Sequence, residues 1–251
     1  MVEPLAYTEA GSGTSLVFLH GITANRHHWG PVVERLADDF GCLSVDLLGH
    51  GDSPRGESAD LFSQIEALIS LLDERGLDAP VLVGHSFGGF VATFAAAART
   101  VRGVVNVDQP FDTAAFRATI APLEDRLRGA EFQAAFAEFI ETQRPDLVPA
   151  EHQQTTRANI RPRQDVVLDV WASVLDTPPA DLVAQVEAAL PAVTAPYLAV
   201  FGSPISEQEQ ALQALIPNGR VEVWDGLGHF VHLVDPDRTA RRVAAFVDTL
   251  S

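Results

Sequence analysis

Short runs of apolar residues recur along the chain, separated by polar breaks rich in glycine and proline. Leu16-Val17-Phe18-Leu19 and Val81-Leu82-Val83 are continuous rather than alternating, the pattern of strands buried on both faces of a parallel sheet. Such runs predict strands near residues 4–8, 15–20, 41–46, 80–84, 103–108, 196–202 and 220–224. Between them, helical periodicity predicts helices near 28–38, 59–76, 86–99, 206–216 and 236–250. In the second of these, Leu61, Ile65, Leu68, Ile69 and Leu72 form a stripe that suits packing on a sheet face. Strands that alternate with helices at both ends of the chain predict an α/β fold with a mostly parallel sheet flanked by helices.

The middle of the chain reads differently. From Gln109 to Ala195 the strand signal disappears, Phe132, Phe136, Phe139 and Ile140 share one helical face, and prolines at 145, 149, 162, 178 and 179 break the segment into short helices. Residues 109–195 are therefore expected to be a helical insertion between two parts, 1–108 and 196–251, of a single core. No repeat, linker or low-complexity tract suggests a further domain, and 251 residues suit one large unit.

Composition narrows the partners. The formal charge is −17, and all 17 basic residues are arginine, because the chain contains no lysine. Lysine Schiff bases, pyridoxal-phosphate anchoring and a P-loop lysine are excluded at once. An acidic surface repels phosphate backbones and anionic headgroups, so a small molecule is expected in place of nucleic acid or membrane. Cys42 is the only cysteine, in the apolar strand pattern Gly41-Cys42-Leu43-Ser44-Val45, and is expected to be structural. No secretory signal pattern opens the chain, and no apolar stretch approaches the roughly 20 residues of a membrane span, so a cytoplasmic location is expected. Nothing in the pattern specifies an oligomeric state.

Three segments carry chemistry. Gly84-His85-Ser86-Phe87-Gly88-Gly89 lies between an apolar strand and a small-residue helix, the setting of a nucleophile elbow whose serine projects above the sheet edge. His20-Gly21-Ile22-Thr23 directly follows another strand, and Gly226-Leu227-Gly228-His229 brings a histidine out of a glycine-bearing loop near the C-terminus. A lone serine hydroxyl is a poor nucleophile and requires a base, for which His229 is the candidate. An ordinary strand-to-helix turn with Ser86 as a helix cap is the competing reading of the first segment. No cluster of His, Cys and carboxylates has metal-ligand spacing, and no cofactor is expected.

Together these segments resemble the α/β-hydrolase superfamily, in its serine-nucleophile branch, from about Leu5 to Leu250. The resemblance implies Ser86 as nucleophile, His229 as base, backbone amides of Ile22 and Phe87 as the oxyanion hole, and residues 109–195 as a cap over the site. His20, His50, Asp46 and Asp52 fall in loops that the resemblance makes structural. One departure matters: relatives commonly carry the triad acid after the penultimate strand, and here Phe201-Gly202-Ser203-Pro204-Ile205-Ser206 has no aspartate. Asp108, at the end of the strand 103–108, is the assigned acid, with Glu207 as the alternative. Phe111, Trp171 and Phe230 are candidate pocket residues for a largely hydrophobic acyl substrate. The expected activity is hydrolysis of a carboxylic ester or related acyl compound. A carbon–carbon bond hydrolase, a lactonase, a cofactor-free perhydrolase and a non-catalytic ligand-binding relative are the alternatives.

Overall fold

The computed structural model describes residues 4–250, the Thr155 side chain aside, so the outermost positions of the expected core, 1–3 and 251, lie outside the described residues. Strands β1 (Tyr7–Ala10), β2 (Ser15–Leu19), β3 (Gly41–Val45), β4 (Val81–His85), β5 (Gly103–Val107), β6 (Tyr197–Phe201) and β7 (Gly219–Val223) form one sheet in the order β1-β3-β2-β4-β5-β6-β7. β1 runs antiparallel to β3, with Tyr7 opposite Val45, and the remaining neighbours are parallel. β1 begins later than the apolar pattern places it. Leu5 turns into the core ahead of the strand, and polar Thr8 and Glu9 are tolerated because β1 is an edge strand with one solvated side.

Alternation along the strands builds two cores. Leu16 and Phe18 join Val81, Val83 and Val105 on one face; Val17 and Leu19 join Leu43, Leu82 and Val104 on the other. The first face is covered by α1 (Gly30–Leu36), the second by α2 (Leu61–Glu74) and α3 (Phe87–Ala98). Asp60 starts α2 as its N-cap, accepting from the Ser63 amide, and the predicted stripe buries Ile65, Leu68 and Leu72. Cys42 is buried in β3, where desolvation pushes its thiol up to about 11.

The chain leaves the sheet after β5 and returns at β6. Between them lie α4 (Thr113–Ile120), α5 (Glu124–Arg128), α6 (Phe132–Thr142), α7 (Ala150–Asn159), α8 (Gln164–Val170), α9 (Ala172–Asp176) and α10 (Pro179–Ala189). Phe132, Phe136 and Phe139 pack with Val167, Val170 and Trp171 in a core of their own. α10 does not share it: its Val186, with Leu190 just past its end, joins the sheet-face cluster of α2 and α3. Asp169 on α8 accepts from the Ala59 amide at 2.6 Å and pairs with Arg55 at 3.0 Å, which ties this helical layer to the loop before α2. After β6 come α11 (Glu207–Gln213), α12 (Val231–Val234) and α13 (Pro236–Asp248), the last packed beside α1. Among the described residues no helix is long and apolar enough to cross a membrane.

Candidate active site

The turn between β4 and α3 is set by what glycine permits. A Cβ on Gly84 would stand 2.1 Å from the Gly88 carbonyl oxygen, and one on Gly88 would stand 2.3 Å from that of Leu19, so strand and helix approach this closely only without side chains there. Ser86 between them holds φ 51° and ψ −129°, a strained conformation for a residue with a Cβ. Its amide donates to Val107 at 3.0 Å, and its carbonyl accepts from Gly89 at 2.6 Å. The neighbouring strand and the first turn of α3 thus over-determine the conformation.

Asp108 follows β5 directly and also sits in left-handed backbone, at φ 55°. Its amide donates to Val200 on β6 at 2.8 Å, and its Oδ1 accepts from the Gly202 amide at 2.7 Å. The remaining oxygen, Oδ2, lies 2.7 Å from Nδ1 of His229. The strand end that lacks an aspartate therefore supplies a backbone donor to the aspartate of its neighbour. Glu207 is exposed at the start of α11, where the Ser206 side chain caps the helix by accepting from Glu209.

His229 is gripped through its main chain as well. Its amide donates to the Gln143 carbonyl at 3.3 Å, and its own carbonyl accepts from Nε2 of His85 at 2.9 Å. His85 is buried beneath it, with ring centroids 4.7 Å apart, and desolvation holds the His85 imidazole well below the ordinary histidine range. It is neutral and serves as a donor. His232 lies behind His85 at 4.3 Å between centroids, equally buried and held neutral by desolvation.

The loop carrying Ile22 is fixed from its own base. His20 donates from Nδ1 to the Gly21 carbonyl at 2.7 Å and accepts the Leu47 amide at Nε2, 3.1 Å away, which assigns its tautomer. Asp46 accepts from the Arg26 and Asp52 amides and pairs with the Arg26 guanidinium, holding the same loop to β3. His50 donates from Nδ1 to the Leu48 carbonyl, and burial lowers it to about 4.

Ser86, His229, Asp108, Ile22, Phe87, Trp171 and Phe230 all border one cavity of about 960 Å³. Phe111 does not, contrary to expectation. It is fully buried, edge-on to Phe90 and Phe94 and part of the sheet-face core, so those two rings stand between it and the cavity. Glu209 was not a candidate, yet it borders the cavity, almost wholly buried. Its Oε2 accepts from the Phe111 and Asp112 amides at 2.7 and 2.8 Å, its Oε1 from Gln213, and desolvation outweighs these bonds to push the carboxyl up to about 7. The only sequence signal was that Glu209 falls on the inward side of α11, with Leu212. Among the described residues no group of three or more His, Cys, Asp or Glu is arranged to hold a metal ion.

A strand–elbow–helix serine, a carboxylate-bound histidine and a mostly parallel sheet define the class. Residues 16–242 match the alpha/beta hydrolase family, and the chain belongs to that family. The 2-(acetamidomethylene)succinate hydrolase of Mesorhizobium japonicum is 30% identical over 253 residues, 96% of this chain and 90% of that protein. Esterase YbfF of Escherichia coli is 26% identical over 255 residues, 94% of each chain. The structure of MenH from S. aureus shares the fold with a TM-score of 0.79 at 20% identity, over 100% of this chain and 99% of that one. The chain is thus an enzyme of a family whose members here are named as esterases and hydrolases.

Proposed function

We propose that this hydrolase works through an acyl-enzyme on Ser86, with His229 as general base and acid and Asp108 as the carboxylate that orients it. The observation that carries the reading is the 2.7 Å contact between Asp108 Oδ2 and His229 Nδ1, with the other carboxylate oxygen held by the Gly202 amide. A carboxylate so fixed keeps the proton on Nδ1 and leaves Nε2 to act as the base. Ser86 Oγ attacks the acyl carbon while Nε2 takes its proton. The tetrahedral intermediate collapses with that proton passing to the leaving alkoxide, and water then repeats the sequence in reverse sense to free the acid and regenerate Ser86.

The developing oxyanion is received by the Ile22 and Phe87 amides. Phe87 opens α3, so its N–H has no acceptor within the helix, and the positive end of the helix dipole favours negative charge there. Donors fixed before reaction need no reorganisation when the charge appears. The helices of 109–195 act as a cap, closing a mainly apolar space around the serine.

The substrate in this reading is an uncharged ester or related acyl compound. No arginine borders the cavity among the described residues, whereas Asp60, Asp112, Asp169 and Glu209 do. A succinate, the substrate type in the name of the Mesorhizobium japonicum relative, would meet carboxylates without a guanidinium to pair with. Incubation with an alkyl fluorophosphonate tests the nucleophile. Stoichiometric labelling of the Ser86 peptide by mass spectrometry is expected, and Ser86→Ala should stay folded and lose both labelling and ester hydrolysis. A folded, unlabelled wild type without esterase activity would favour a ligand-binding protein.

A further inference from the structure

Resting on that reading, we infer that the acyl compound carries a long unbranched alkyl chain, which lies in a trough between α3 and α10 that begins at Ser86. Two facing stripes build the trough. On α3, Phe90, Phe94 and Ala98 follow Ser86 at successive four-residue steps, so all stand on the helix face that presents the serine. On α10, Leu182, Val186 and Ala189 fall at i, i+4 and i+7 and border the same cavity. The named positions of both stripes are apolar; Gln185 also borders the cavity from α10, and the buried carboxyl of Glu209 borders it elsewhere, already bonded to the Phe111 and Asp112 amides and to Gln213.

Length follows from helix geometry. Twelve residues of α3 separate Ser86 from Ala98, a rise of roughly 18 Å and the extended length of about fourteen methylenes. The far end is open, because Ala97 and Ala98 are exposed, so a longer chain can protrude. A cavity of about 960 Å³ holds such a chain together with an ester head group. A short acyl group would leave most of this apolar surface unfilled. The facing stripes are continuous with the site of Ser86 rather than separated from it, and among the described residues no arginine borders the cavity to pair with an anionic occupant.

The test has a kinetic arm and a binding arm. For p-nitrophenyl esters kept monomeric in solution, kcat/KM is expected to climb at least tenfold from the four-carbon to the twelve- or fourteen-carbon acyl group, each buried methylene adding up to roughly fourfold. Ala98→Trp and Ala189→Phe, each checked for an unchanged melting temperature, should lower the ratio of fourteen-carbon to four-carbon kcat/KM by about tenfold or more. In the binding arm, Ser86→Ala is titrated with methyl tetradecanoate and methyl butanoate, and only the longer ester should bind measurably. A wild-type profile that is flat or falls beyond six carbons would overturn the inference while leaving the hydrolase reading intact. So would equal losses on both esters in the two blocked variants, or equal binding of the two methyl esters by Ser86→Ala. If no ester is hydrolysed but the long ester binds selectively, the hydrolase reading fails and the trough stands.

Discussion

Asp108 combines two demands that few residues meet. It adopts left-handed backbone, which aspartate and asparagine tolerate better than most side chains, and it uses both carboxylate oxygens, one on Gly202 and one on His229. Asp108→Asn keeps the shape and the backbone preference but offers an amide where the imidazolium needs a charge. The melting temperature is therefore expected to change little, while kcat on a p-nitrophenyl ester falls by roughly three to four powers of ten. Glu207→Gln, on the exposed start of α11, should stay within about twofold of wild type; the reverse pattern in the same assay would move the acid to Glu207. That Ser86, His229 and Asp108 come together at one cavity was legible from strand-end position and residue type. Phe111 was misread because nothing in an isolated aromatic tells whether it faces a cavity or another ring.

At the scale of elements, continuous apolar runs revealed the buried strands, and only the edge strand β1, with its polar Thr8 and Glu9, was displaced. The grip on His229 was invisible, since the Gln143 carbonyl is a main-chain acceptor that any residue would supply. Glu209 was hidden for a related reason: its partners are the amides where the chain leaves β5, brought to α11 only by the fold. Burial raises this carboxyl from 4.5 to about 7, so between those values the folded state holds a proton that the unfolded chain has released. Stability from this group is present below pH 4.5 and lost as pH rises to 7, on the order of 3 kcal/mol. Glu209→Gln removes the titration and retains an acceptor. Urea unfolding across pH 4.5 to 8 should therefore show wild type losing stability relative to the variant as pH rises; parallel curves would exclude the effect.

Over the whole molecule, the opposite sign prevails on acidification. His20, His28, His50, His85 and His232 are buried, and desolvation lowers each below the 6.5 of a solvated histidine, His28 and His50 to about 4. These imidazoles stabilise the fold fully above pH 6.5. As pH falls from 6.5 to about 4, the unfolded chain takes up protons that the folded chain refuses, and each histidine costs up to about 1.4 kcal/mol per pH unit. Five such groups outweigh Glu209, so the urea midpoint should fall steeply between pH 6.5 and 5; a midpoint constant over that range would contradict the burial of these rings as neutral species. The overall architecture was legible because alternation of strand and helix survives local error. The attachment of α10 to the sheet-face core was not, since that depends on which surface a helix meets after it forms. One junction has a practical meaning for protein engineering. The helical excursion departs one residue after Asp108, and Glu209 clamps the Phe111 and Asp112 amides immediately downstream. A donor excursion from another hydrolase should therefore be spliced in after Asp112, because a seam at Gln109 would cut between Asp108 and the clamp that anchors the departing chain.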